Sequence, residues 1–431
     1  MLTTIRNAWK IDELRRKMIF TLLILLIYRL GNAVPLPFVD SALLATYFDQ
    51  VESTVLGLMN TMSGGAMSMA TVFALGISPY ITSSIIIQLL TIAIPALERL
   101  QKEGGEDGKR KITAITRYAT LAIALLQAFG YWYLLNANSL LVESATGFIP
   151  VVVIVATFTA GSALLMWLGE QITEFGIGNG ISIVLFAGIV SRFPTSIYTM
   201  VKNMIAGELS WWVLALVLLG ALAIIILIVI ISNSERRIPV QYSKRVVGRK
   251  MYGGQSTHLP IKLNMSGVMP IIFAQSIASL PATIATFIPG KDGGVWDKIQ
   301  SFFDTTSMTY VIIYLLLIIF FSYFYAAVQF NPIEVANNLK KNGGYIPGFR
   351  AGRPTAEYIQ KVLGKVTIFG AIYLAIIAIT PIVVSMFSEQ AANSGVSMGG
   401  TSIIIVVGVA LETIKSLEAQ MLMRHYKGFL E

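Results

Sequence analysis

The chain has 431 residues, 55% of them hydrophobic and 13% charged, with a mean hydropathy of +0.71 and a formal net charge of +9. Soluble domains carry about 25% charged residues, so this composition belongs to a polytopic membrane protein. With no cysteine and only His258 and His425, disulfides and thiol-ligated metals are excluded and a histidine metal site has too few ligands.

In chain order, Leu2 to Lys17 forms a basic amphipathic segment, read as an interfacial helix on the cytoplasmic leaflet. The apolar run Ile19 to Leu30 is not closed by an A-x-A-like site, so it reads as a retained span, not a cleavable signal peptide. About 20 apolar residues cross the hydrocarbon. On that measure ten spans are predicted, at 19–37, 72–95, 116–136, 150–168, 181–200, 211–231, 266–288, 309–330, 366–387 and 400–423. Directly before the second lies NTMSGGAMSMAT, small residues, hydroxyls and methionines around Gly64-Gly65, joined to the span without a loop.

Lys and Arg set the orientation. They cluster before the first span, between the second and third, after the sixth and eighth, and at the C-terminus, while the opposite connections hold only Lys202, Lys291 and Lys298. Both termini are therefore expected in the cytoplasm. Ten spans divide into halves of five, 1–205 and 206–431. An odd number in each half is the condition for an inverted repeat with the working site between the halves. Internal sequence similarity is not visible, so counting leaves an accidental division equally open.

Two of the inside connections are long, about 232–265 and 331–365. In the first, Val240, Tyr242, Val246, Val247, Met251 and Tyr252 suggest a β-hairpin with apolar contacts. In the second, Gly343-Gly344, Pro347-Gly348 and Gly352 predict a projecting loop instead of a helix. Topology needs only a few charges near the membrane. Arms of this length that also carry aromatics suit acidic partners, such as ribosomal RNA or an acidic protein surface.

Within the membrane, ionisable groups are sparse. Arg29 lies in the first span, Glu170 and Glu174 at the end of the fourth, and Glu412 and Lys415 stand at i,i+3, where they can neutralise each other. Gln88, Gln127 and Gln329 read as interhelical hydrogen bonds. No acidic or histidine relay, phosphate loop, HExxH or GxSxG motif is present, which argues against an ion-coupled transporter or an enzyme. A passive conduit driven by a partner is the reading that fits. Isoleucines at 77, 81, 181, 271, 272 and 403–405, with Leu185, suit either a dewetting constriction or ordinary packing, and pattern alone does not choose.

Long separate matches in order identify the chain as a member of the SecY/Sec61 family of protein-conducting channels. They are NTMSGG with ALGISPYITSSIIIQLL (Asn60–Leu90), MWLGEQITEFGIGNGISI (Met166–Ile183), YGGQSTHLPIKLNMSGVMPIIFA (Tyr252–Ala274), FNPIEVANNLKKNGGYIPGFRAGRPT (Phe330–Thr355) and GGTSIIIVV (Gly399–Val407). The resemblance implies an all-α polytopic fold, two inverted five-helix halves around an hourglass pore, in the bacterial plasma membrane. It implies a half-inserted plug helix near 60–71, with Asn60, Met62, Ser63, Gly64, Gly65, Met67 and Met69, weakly packed and easily displaced. A pore ring falls on Ile77, Ile81, Ile181, Leu185, Ile272 and Ile405, Leu185 replacing a frequent isoleucine. A lateral gate falls between the second and seventh spans, at Thr82, Gln88 and Leu280. Motor or ribosome contacts fall on Lys244, Arg245, Arg249, Lys250 and Arg350. The implied partners are SecE and SecG subunits, the SecA ATPase, the ribosome, signal sequences, translocating polypeptides and membrane lipid. No cofactor is implied. The tail ends soon after Tyr426, which leaves a tail contribution to motor binding open.

Overall fold

A computed structural model describes residues 2–51, 55–142, 147–207, 210–242, 245–247, 250–252, 256–265, 267–287, 302–303, 307–387 and 396–427. Hydrocarbon offers the backbone no hydrogen-bond partner, so a spanning chain must satisfy itself as helix. Each of the ten predicted segments lies on one: Asp12–Gly31, Ser78–Ala93, Gly105–Ala137, Phe148–Phe175, Gly180–Ile205, Trp211–Asn233, Met269–Phe287, Met308–Gln329, Arg353–Phe387 and Val396–Lys427. These are the first to tenth spans below.

Among the described residues, six stretches cross a membrane by length and apolarity alone. A seventh is the bent pair Ser78–Ala93 and Pro95–Glu103, turned by 98° at Ile94-Pro95. Asp12–Gly31, Met269–Phe287 and Val396–Lys427 fall short of that test, being short or carrying charges, and are set among the others by packing. Polar caps start several helices: Asp40 accepts from Ala42 and Leu43, Asn179 from Ile181 and Ser182, and Asn331 from Ile333 and Glu334. The sixth span, mean hydropathy 3.5 over its most apolar window, buries only Val213 and Ile228 and turns the rest outward, as a lipid-facing helix should.

One large apolar core runs through both halves, drawing on nine of the ten spans. A second lies beside it, where Leu36, Leu44, Phe48 and Leu56 pack on Tyr131, Leu134, Ile154 and Phe158 of the third and fourth spans. Small residues permit the closest approaches: a Cβ at Gly161 would collide with the carbonyl of Val72.

The two basic arms are one folded unit. Strand β1 (Glu235–Tyr242) pairs antiparallel with β4 (Ser256–Lys262), Glu235 opposite Lys262 through Gln241 opposite Ser256. Between them β2 (Arg245–Val247) pairs with β3 (Lys250–Tyr252), so the predicted hairpin is present. The second arm departs from expectation. It begins with a helix, Pro332–Lys341, because Asn331 caps it and Pro332 fits its first turn. Its glycines then release a two-residue strand, β5 (Gly344–Tyr345), which joins β1 to give the order β4-β1-β5. Ile238, Val240 and Ile261 of the first arm share a core with Ile346, Ile359 and Leu363 of the second. The ninth span starts at Arg353, inside this unit, well before the predicted 366.

The N-terminal segment is also not a single interfacial helix. Leu2–Trp9 is helical, the chain turns at Lys10-Ile11, and Asp12 opens the first span.

Candidate functional site

Four spans, two from each half, contribute the aliphatic side chains of the predicted ring to the large core. Ile77 caps the second span and Ile81 follows one turn later, while the Asn179 cap fixes the start of the fifth, hence the height of Ile181 and Leu185. Ile272 comes from the seventh span and Ile405 from the tenth. Ile77, Ile81, Leu185, Ile272 and Ile405 are each at most 3% exposed and belong to the shared core, and the half-buried Ile181 packs against it. All six sequence-predicted ring residues thus lie in or against the large core.

The segment predicted as the plug helix is mostly not helical. The helix here is Val55–Met62, so Asn60 and Met62 sit in its last turn. Gly64 (φ 74°) and Gly65 (φ 86°) lie beyond its end and reverse the chain, so they terminate the helix instead of loosening it. The expectation of weak packing is likewise corrected. Met67 is fully buried, Ser63 and Asn60 nearly so, and only Met69 is exposed among the named residues. Borrowed hydrogen bonds hold the turn. The Ser63 carbonyl accepts from Tyr28 Oη at 3.0 Å and Asn32 Nδ2 at 3.2 Å, and the Met67 carbonyl from Tyr131 Oη at 2.6 Å. Asn60 Oδ1 accepts from the Ser68 amide at 2.9 Å. Under the turn lies Gly188 of the fifth span, where a Cβ would stand 2.7 Å from the Met62 carbonyl oxygen. Each of these external anchors belongs to the first half of the chain.

Toward the second half the contact is looser. A cavity opens between the Val55–Met62 helix, the second span and the seventh, lined by Met59, Met62, Thr82, Ser279, Leu280 and Thr283. Predicted gate residues Thr82 and Leu280 therefore face one space. Gln88 does not line it, but accepts from Tyr325 Oη of the eighth span at 2.6 Å, the interhelical bond expected of it. Gln127 departs from that expectation: its buried Oε1, like that of Gln275, has no hydrogen-bond partner among the described residues, and both side chains line the cavity. Gln329 is exposed at the end of its helix.

Several of the membrane charges have local partners. Arg29 Nη1 donates to Ser191 Oγ at 3.2 Å, and Arg117 makes a two-point pair with Glu170 at 3.0 and 2.8 Å. Among the described residues Glu412 and Lys415 do not pair with each other. Lys415 Nζ instead donates to the Ser232 carbonyl at 3.1 Å, where the sixth span ends. Among the described residues no group of acidic or histidine side chains could hold a metal ion.

On the arm unit, Arg350 is exposed, and Thr355 Oγ1 donates to its carbonyl at 2.8 Å, fixing the turn that presents it. Phe349 stacks on Tyr358 with ring centroids 4.1 Å apart, bracing the same turn. Arg245 and Lys250 lie on β2 and β3, and Lys244 and Arg249 lie outside the described residues. Sequence reasoning missed Tyr28, Asn32, Tyr131, Gly188 and Gln275. For the four polar residues the available signal was a polar group inside an apolar run, which asks for a buried partner.

Comparison with known proteins places this geometry. The SecY family profile matches residues 71–414, more than half of the chain. The protein translocase subunit SecY of Streptomyces coelicolor is 45% identical and that of Mycobacterium tuberculosis 42%, each over the whole of both chains. Among solved structures, one described as a protein conducting channel superposes with a TM-score of 0.67 at 16% identity, covering 95% of this chain and 93% of that one. Sec61 in the canine ribosome-channel complex from the endoplasmic reticulum gives 0.64 at 14%, again covering 95% and 93%.

Proposed function

We infer the function from the premise that this chain belongs to the SecY family: it is the pore-forming subunit of a protein translocase, a multi-pass membrane channel that conducts polypeptides. The observation that carries the reading is that aliphatic side chains of the second, fifth, seventh and tenth spans all enter the large apolar core shared by nine spans, with the 55–71 segment seated on the first half. At rest, Ile77, Ile81, Ile181, Leu185, Ile272 and Ile405 form the constriction and exclude ions by dewetting. The plug comprises the Val55–Met62 helix with the turn that follows. It leaves when a chain enters, by breaking a small set of hydrogen bonds to the first half.

Sideways release uses the interface of the second and seventh spans. There Thr82, Ser279 and Thr283 border a cavity in place of close apolar packing, so separating the two spans gives up little buried area. The channel performs no bond chemistry. Energy comes from outside, from a SecA-type ATPase or the ribosome docked on the arm unit at Arg350, Arg245 and Lys250, and on Lys244 and Arg249, which lie outside the described residues. Ribosome binding is recorded for the canine Sec61 complex, and the basic exposed arms are what would extend it here. SecE and SecG complete the assembly in the bacterial plasma membrane, both termini in the cytoplasm.

The decisive experiment uses the absence of native cysteine. Thr82→Cys with Leu280→Cys supplies the only thiols. Oxidation is expected to join the second and seventh spans and stop export, and reduction to restore it. A fully cross-linked channel that still inserts membrane spans and exports at the reduced rate would refute the gate.

A further inference from the structure

Beyond Ile405 the tenth span carries polar groups on successive turns, and these reach opposite halves of the chain. Thr413 lies against Gly178, in the loop that opens the fifth span, where a Cβ on that glycine would stand 3.5 Å from Thr413 Oγ1. Glu418 Oε1 accepts from Thr4 Oγ1 at 3.0 Å, and Leu417 is buried with Ala8, Leu14 and Ile177. Those contacts hold the tenth span to the first half. Lys415, between them in sequence, turns the other way and donates from Nζ to the Ser232 carbonyl at 3.1 Å. Ser232 lies in the last turn of the sixth span, whose closing carbonyls have no partner within the helix and favour a cation. It is also the root of the arm unit. Just beyond it the Ser234 carbonyl accepts from the Leu263 amide at 3.0 Å, so both ends of the first arm meet there. The arm core itself, built on Ile238, Ile261, Ile346 and Ile359, includes no tenth-span residue among the described residues.

We propose that Lys415 is a positioning residue for export, which passes motor load from the arm root to the tenth span and so to Ile405. The two residues share one unbroken helix and stand about 15 Å apart along its axis. A shift of the Ser232–Ser234 root therefore moves the ring end of the same rod, while Thr413 and Glu418 hold that rod against the first half. The tenth span also packs on the ninth, which runs into the arm unit, but through Leu374, Ala378, Ile404 and Val409. Apolar helix faces of that kind can slide past one another, whereas a lysine bonded to one carbonyl fixes the height. The inference rests on the reading of the arm unit as the motor's docking surface. A lysine that only closed the sixth span would make the same bond with no bearing on export, and experiment can separate the two.

The test uses the full-length chain reconstituted in vesicles with SecE and SecG subunits, a SecA-type ATPase and an unfolded secretory protein. ATPase binding, ATP hydrolysed and secretory protein protected inside the vesicles are read on the same samples. Removing a hydrogen bond from a charged group shifts an equilibrium by about tenfold or more. Lys415→Met should therefore lower the protein protected per ATP by about tenfold, with ATPase binding and hydrolysis held within about twofold. Lys415→Arg keeps a cation for the Ser232 carbonyl and should recover most of the yield. In an Ile405→Gly channel, whose ring has less to open, Lys415→Met should cost no more than about twofold, the non-additivity of residues acting in series. An unchanged yield per ATP in Lys415→Met would overturn the proposal. So would equal losses of binding, hydrolysis and yield, the result for a lysine that only caps the sixth span. Arg350→Glu tells the two readings apart. If that variant binds the ATPase normally, the docking reading fails and takes the coupling with it; if it does not, the Lys415 variants decide the coupling alone.

Discussion

Two regions of this chain leave the transmembrane helices to do something else, and they are built on opposite plans. The arm unit has its own sheet and its own core of Ile238, Ile261, Ile346 and Ile359. The 55–71 segment brings one short helix and a turn, and relies on Tyr28, Asn32, Tyr131 and Gly188 for its place. On the proposed function the arm unit receives a partner's force and must keep its shape under load, and its own core provides that. A stopper that must leave is better held by a few separable bonds to others. On the proposed function, a plug can be displaceable without being loose: Met67 and Ser63 are buried, and the number and ownership of the bonds matter more.

The sharpest test of this contrast is Ile261→Ala. Emptying that fully buried position should cost the arm unit about 2–5 kcal/mol. Limited proteolysis should then cut the arms while the 55–71 segment stays protected, and simultaneous exposure of both would break the contrast. Next, Arg350→Glu should reduce motor-driven translocation by about 30-fold or more, the scale of losing one side of a charge-assisted contact. Membrane insertion and resting conductance should not change, because the side chain is exposed and takes no part in the seal. On the other side, Ile81→Gly with Ile405→Gly should raise resting ion conductance by roughly tenfold through a wettable constriction, with motor binding intact. Planar-bilayer recording decides this. The smallest effect belongs to Tyr131→Phe. Losing its bond to the Met67 carbonyl should weaken the plug seat by about 1 kcal/mol, raising the displaced fraction about fivefold. Cross-linking a plug cysteine to the fifth span would measure it, and an unchanged yield would mean that Tyr131 only fills space.

Most spans were legible because a bilayer of fixed thickness imposes a fixed apolar length, while the seventh, Met269–Phe287, is short for it and is set among the others by packing. Their ends were less so. Arg353 opens a helix that continues unbroken into the membrane, and hydropathy cannot see the part outside it. Gly64-Gly65 read as weakness within a helix, when positive φ makes them its terminator. The aliphatic cluster could not be chosen by pattern, since isoleucine is common to pore, core and lipid face alike. Family resemblance singled out those positions, and the fold places them in or against the large shared core. The anchors Tyr28 and Tyr131 escaped notice because their partners are backbone carbonyls, which no sequence pattern marks. Strand β5 escaped for a related reason: two residues carry no alternation to read.

That last strand has a consequence for synthesis. Tyr345 Oη donates to Gln241 Oε1 at 3.0 Å across a separation of 104 residues. At about 5–20 residues per second, β1 emerges from the ribosome roughly 5–20 s before the strand that covers its free edge. Meanwhile the seventh and eighth spans must find their places with the arm incomplete. An uncovered edge in that interval invites pairing with whatever strand is near. The chain's most exposed moment is therefore a step in its own birth, when a protein that will thread others is itself only partly threaded.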